Sequence, residues 1–158
     1  AFGKWLHYRR VTPIDKQDVI RMNRDTLYSA LVLDLSSPAT LLMPGCGDRF
    51  QSLVRETQDA NSLPTLYPPG NYTFTMKDNM GARYMFLIVR TFAPDENNAS
   101  DVTAVHECQD AMEIQQSNMG SFELTDWDKE SHSRVRNALN ELRASSSTSL
   151  AYGKLDEI

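Results

Sequence analysis

The chain has 158 residues, of which 41% are hydrophobic and 23% charged, a balance close to that of globular proteins and enough for one domain with a real core; disorder and fibrous repeats are not suggested. A formal net charge of −5, with no basic cluster longer than Arg9–Arg10, argues against a surface that tracks phosphates, so nucleic acid is not an expected partner. The longest apolar runs, "ALVLDL" and "YMFLIV", fall far short of the roughly 20 residues a bilayer-crossing helix needs, and the chain is not expected to span a membrane by itself.

The first residue is Ala with no charged-then-apolar leader before it, as in a mature product whose targeting segment has been removed or in a trimmed chain; the first case implies an exported or organelle-lumenal location. Residues 1–14 mix aromatic and basic side chains without a period and end at Thr12–Pro13, where the residue before proline is pushed to an extended conformation. They read as a docking arm, and residues 15–158 as a single β-rich domain. Asp15 and Asp18 resemble a helix start, which predicts a short helical turn through about Met22.

Leu27, Leu31, Leu33 and Leu35 then alternate with Tyr28, Ala30, Val32 and Asp34, the period of an internal strand. "ATLLM" (39–43) resumes the strand pattern, "PGCGD" (44–48) is a dense turn signal, and "RFQSLVRET" (49–57) alternates again. The proline-rich "LPTLYPPGN" is expected to be an irregular loop, because proline supplies no amide to a ladder. "NYTFTM" (71–76) predicts a half-buried strand with Tyr72, Phe74 and Met76 inward; "KDNMG" follows as a hairpin turn into the central strand "ARYMFLIVRTF".

After Phe92 the period changes. Ser100 is placed to cap a helix over about 101–117, in which Val102, Val105, Cys108 or Gln109, and Met112 recur at helical spacing. Thr125 with Asp128 forms a capping pattern ahead of Val135, Ala138, Leu139 and Leu142, which predicts a second helix over about 126–143. The expected class is α+β: a mostly antiparallel sheet or sandwich of about five to seven strands followed by two C-terminal helices packed on it. Cys46 and Cys108 admit a disulfide, two free thiols or an intermolecular bridge, with a buried, inert thiol the default reading for Cys108.

The run "VIRMNRDTLYS" (19–29), the "LDLS" after it, "PPGNYTFT" (68–75), "RYMFLIVRTF" (83–92) and "DVTAVHECQD" (101–110) occur in the order of a known family. Together they resemble the domain of unknown function 1254, seen mostly in bacterial proteins, and the likeness also takes in the "W…VRNAL…L" helix and the terminal "AYGKLDEI". The resemblance implies a β-rich domain, often exported and commonly followed by a second β-rich domain. It implies no catalytic residues. Since the chain ends where a second domain would begin, a surface covered in relatives is expected to be bare here or taken by another partner. Relatives also tend to carry a glutamine–aspartate–histidine–tyrosine run where this chain reads Gln58–Asp59–Ala60–Asn61, so any proton-transfer role of that histidine is absent.

Two function classes remain. In the favoured one the domain is a non-catalytic accessory subunit that docks on a larger protein complex, membrane-associated complexes included, or on further copies of itself. Phe2, Trp5, Leu6, Tyr8 and Arg9 of the arm supply the anchors, because Trp, Tyr and Arg are the side chains that dominate interfaces. In the alternative it is a small-molecule binder or a cofactor-independent enzyme, with Asn23, Asp25, Thr26, Tyr28, Asp59, Arg90 and His106 as polar contacts in a pocket between sheet and helices. Arg90 is placed to pair with Asp25 or Asp59, and the "NRDT" turn (23–26) more simply launches the strand by bonding nearby backbone. His7, His106 and His132 have no zinc-type spacing and no serine-nucleophile or phosphate-loop motif occurs, so no metal, no cofactor and no catalytic residue is expected. The sequons at Asn71 and Asn98 would be glycosylation acceptors only after passage through a eukaryotic secretory route, and three-residue matches of this kind are common by chance.

Overall fold

The computed structural model describes residues 1–15 and 23–145, and the helical turn expected from Asp15 to Met22 lies almost wholly outside them. The chain divides into two units, Ala1–Phe122 and Glu123–Ile158. Within the first, the described residues form β1 (Leu6–His7), β2 (Thr26–Asp34), β3 (Ala39–Met43), β4 (Gln51–Thr57), β5 (Ser62–Leu66), β6 (Gly70–Phe74), β7 (Tyr84–Phe92), helix α1 (Ala99–Asp110) and β8 (Glu113–Gln116). β1-β2-β7-β4-β5 make one antiparallel sheet and β6-β3-β8 a second. The class is α+β, as expected.

The period-two pattern decides which side chains meet. Leu27, Ser29, Leu31 and Leu33 of β2 are buried, while Tyr28, Ala30 and Val32 on the opposite face keep partial exposure. Leu31, Leu33, Met85, Leu87, Val89 and Leu53 from the large sheet pack against Ala39, Leu41, Met43 and Phe74 from the small one, giving a two-layer core. Each of the leucine, valine, methionine and phenylalanine side chains among them contributes about 1.5–3 kcal/mol by leaving water. A second cluster joins Val105 of α1 to Val11, Leu27 and Ala93, which seats the helix at one end of the layers.

Several expectations change. Residues 62–66 are a strand despite Pro64, because β5 is the sheet edge, where one ladder side needs no amide donor; the Pro64 carbonyl accepts from Arg55 Nη2 at 2.7 Å. "KDNMG" is not a hairpin turn: a 3-10 turn at Lys77–Asn79 carries the chain from β6 in one sheet to β7 in the other. β6 ends at Phe74, so Met76 is exposed and not inward.

α1 begins one cap earlier and ends seven residues sooner than its spacing suggests. The Asn98 side chain, not Ser100, accepts from the Ser100 and Asp101 amides. After Asp110 the chain turns into edge strand β8, which pairs with β3, and Met112 is buried from that turn. Cys46 and Cys108 are bonded to each other, with Cα atoms 5.7 Å apart, so Cys108 is not a free thiol. The bridge and the Arg49–Asp101 ion pair (2.6 Å) both tie the turn after β3 to α1.

In the second unit the described residues form α2 (Lys129–Ser145). Asp128 rather than Thr125 caps it, its carboxylate accepting from the Glu130 and Ser131 amides at 3.0 Å. No residue of α2 is buried.

Candidate functional site

β2 and β7 run side by side for nine residues, so the register places Tyr28 opposite Arg90, Ala30 opposite Ile88 and Val32 opposite Phe86. All six belong to the face turned away from the core, and none is fully buried. Residues 7–13 of the arm border this face, and together they enclose a groove of about 1010 Å³. Tyr28, Ala30, Phe86 and Ile88 form its apolar floor, Arg9 to Pro13 a wall, and Arg24 with Glu96, ion-paired at 2.9 Å, part of its rim. A smaller cavity of about 320 Å³ shares Arg9, Arg10 and Val11 with the groove and adds His106 and Leu27.

The wall is held by a polar network. Gln109 of α1, fully buried, donates from Nε2 toward the Tyr8 carbonyl (3.2 Å), the Tyr28 carbonyl (3.3 Å) and Ser29 Oγ (3.1 Å), and its Oε1 accepts from Arg9 (3.1 Å). Arg9 also donates to the His106 carbonyl at 3.2 Å and pairs with Asp110, whose carboxyl is thereby held below its usual range. His106 Nε2 lies 2.9 Å from the Arg9 carbonyl and must carry the proton there, since the carbonyl only accepts. His7 Nδ1 sits 2.8 Å from Ser29 Oγ; burial lowers its pKa, Arg9 lowers it further, and Asp110 opposes them.

The residues expected to bind a ligand do not converge as one set. Tyr28 lies in the groove and His106 in the adjoining cavity, whereas Asp59 is exposed in the β4–β5 turn with its amide on Thr57 Oγ1. Asp25 is exposed, and its backbone carbonyl accepts from the Ala93 amide at 2.6 Å; the following Thr26 is buried with an unbonded hydroxyl. Asn23, partly buried, begins the described chain before β2. No hydrogen bond joins Arg90 to Asp25 or Asp59 among the described residues. Its guanidinium stands over the Tyr28 ring, 5.9 Å from the centroid, and its buried Nε has no acceptor.

The arm residues are divided. Phe2 bridges to Val32 and meets Phe122, and Trp5 is partly buried against the main core and stacked on His7. Leu6 and Tyr8 are exposed, and Arg9 is engaged as described. Sequence reasoning missed Arg10, Arg24, Glu96, Phe86 and Ile88 as groove residues; the usable signal is that Phe86, Ile88 and Arg90 share a strand face with period two. It also missed the buried Asp34, which accepts from Arg83 at 2.8 and 3.1 Å and from the Ser36 and Ser121 amides. These donors hold the Asp34 carboxyl far below its usual range, a satisfied structural anion. Among the described residues no cluster of three or more His, Cys, Asp or Glu is placed to hold a metal ion.

A family profile described as protein of unknown function (DUF1254) matches residues 2–116. The chain belongs to the DUF1254 family. The crystal structure of the VPA0106 protein from Vibrio parahaemolyticus is similar in fold, with a TM-score of 0.56 at 18% identity, over 69% of this chain and 34% of that one. This chain thus spans about a third of the length of that protein. No curated protein matches it. The DUF1254 match stops at the last residue of β8, so it takes in the groove's whole floor and wall but neither α2 nor the terminal segment that the sequence resemblance included. Among the described residues no helix is long and apolar enough to cross a membrane.

Proposed function

We propose that this DUF1254 domain is a non-catalytic accessory domain that docks on a larger protein assembly through the outer face of its five-stranded sheet. The observation that supports this most is the half-exposed apolar floor of Tyr28, Ala30, Phe86 and Ile88, bordered by charged residues. Apolar area of this kind beside a polar rim is the anatomy of a binding surface. The carboxylates beside it, Glu96 and Asp110, are each engaged by an arginine, which suits a fixed surface better than proton transfer. The arm contributes less as a free tether than as the groove's wall.

The test is the native mass of the protein, by size-exclusion chromatography with mass spectrometry of what co-elutes. The expected result is elution in a larger species with reproducible partners, which Ile88→Glu dissociates without unfolding the domain. Elution as a free monomer from its source would refute the docking reading. A second reading, a small-molecule binder, is favoured by the groove's volume, which is at the upper end of the roughly 300–1,000 Å³ typical of ligand sites.

A further inference from the structure

We propose that α2 is a second docking element, which pairs with a partner helix whose apolar seam is edged by carboxylates. The surface lies outside the DUF1254 match, and the proposal makes no use of the groove.

A helix of 17 residues is marginal in water on its own, and helices of this length are held mainly by packing of an apolar face. α2 has such a face. Val135, Ala138, Leu139 and Leu142 fall on one stripe about 100° wide. Val135, Leu139 and Leu142 are each more than half exposed, and no residue of the helix is buried. The Asp128 cap and the Glu130–Arg134 pair at 3.9 Å support the first turns, but they lie off the stripe and leave it uncovered.

The spacing and the charge say what covers it. The steps from Val135 to Leu139 and on to Leu142 are those of a coiled-coil seam, with Leu139 at a and Val135 and Leu142 at d. Lys129, Arg136 and Arg143 then recur at every seventh residue, all at e, along one border of the stripe. None of them forms an ion pair among the described residues. The other border, at g, carries Ser131, Ala138 and Ser145 and no charge.

A second copy of α2 does not match this face. Antiparallel pairing sets cations against cations, and parallel pairing sets them against the uncharged border. A helix with Asp or Glu beside its own seam supplies the counter-charges and the apolar cover together. An anionic membrane fits less well. Glu130 and Glu141 stand beyond the uncharged border, and α2 has no aromatic residue to enter the lipid interface.

The experiment is fluorescence anisotropy of a labelled three-heptad peptide, with Leu at both seam positions and Glu at both borders, titrated with the full chain. The same peptide with Lys at both borders is the comparison, and vesicles of equal parts phosphatidylglycerol and phosphatidylcholine are added as competitor. Saturable binding of the Glu peptide is expected, with the Lys peptide at least about tenfold weaker. Leu139→Ser should weaken it about tenfold and the Arg136→Gln,Arg143→Gln double variant about fourfold, whereas Arg134→Gln, off the stripe, and Lys77→Gln, in the turn between the sheets, leave it within about twofold. Arg136, Leu139 and Arg143 are exposed, so these variants remove no buried contact. The proposal is overturned by the absence of saturable binding, by equal binding of the Lys peptide, by self-association of the chain that Leu139→Ser abolishes, or by vesicles that displace the Glu peptide. A monomeric native mass with the Glu peptide still bound refutes the groove's docking reading alone; a larger native species with no peptide binding refutes this inference alone.

Discussion

Asp34 shows how a single side chain can fix a segment far away in sequence. Its carboxylate is fully buried, and it draws Arg83 from before β7 and the Ser121 amide from the far side of β8 onto one point at the end of β2. Because its folded pKa lies below the ordinary aspartate value of about 3.9, the stability it supplies is present above about pH 4 and is lost as pH falls below that. Asp34→Asn should cost about 2–4 kcal/mol in urea unfolding at pH 7, and it should flatten the loss of stability between pH 6 and pH 3 relative to the parent chain. Gly120 adds a second check. Its φ of +70° suits glycine, and a Cβ there would run into the Asp34 carboxylate. Gly120→Ala should therefore lower the melting midpoint by several degrees, and an Asp34→Gly,Gly120→Ala double variant should show less than the summed loss. Neither residue announces this in the sequence, since contacts of Asp34 that span 49 positions to Arg83 and 87 to Ser121 leave no local pattern. The reverse holds for Arg90, where a cation at a strand end suggested an ion pair and the register placed it over an aromatic ring instead.

At the scale of elements, the strands pressed into the core were legible, and edge strand β6 with them, whereas edge strands β1, β5 and β8 were not. β2, β3 and β7 carry alternation because one face of each is pressed into the core, and that pressure selects every second side chain, whereas β4 buries Gln51, Ser52 and Leu53 in a row. β5 and β8 lie at sheet edges with little burial, so Pro64 is tolerated in one and the helix-like spacing ending at Met112 misplaced the other. Gln109, the alternative to Cys108 in the expected helical stripe, turned out to be the buried side chain that fastens the arm. Gln109→Leu removes the donor to Tyr8, Tyr28 and Ser29 while keeping the volume, and should cost about 2–3 kcal/mol. Hydrogen exchange should then show faster exchange of the Tyr8 amide, which bonds the Tyr28 carbonyl at 2.8 Å, with the β7 amides little changed. The Cys46–Cys108 bridge closes a loop of 62 residues, so replacing both cysteines by serine should lower stability by up to about 4 kcal/mol, read by urea unfolding without reductant.

For the whole molecule, the boundary of the folding unit and the boundary of the family match are close but not the same. The match ends at residue 116, whereas the first compact unit runs on to Phe122. The six residues between them do structural work: Gly120 passes close to Asp34, Ser121 donates to it, and Phe122 packs its ring 5.4 Å from Phe2 and 5.6 Å from Tyr84. These contacts lie in the first unit, while α2, beyond it, buries none of its residues. Residues 123–128 form no helix or strand and are exposed, which makes them the natural place for a protease to cut. Limited proteolysis of the full chain with a broad-specificity protease should therefore leave a resistant fragment ending between about residues 122 and 128, with a melting midpoint within a few degrees of the parent chain. A chain ending at residue 116 should instead unfold at a clearly lower temperature, since it leaves the buried carboxylate short of one donor and strips a ring from two others. Equal stability of the two would mean that the family match, and not the compact unit, marks the true limit of the domain.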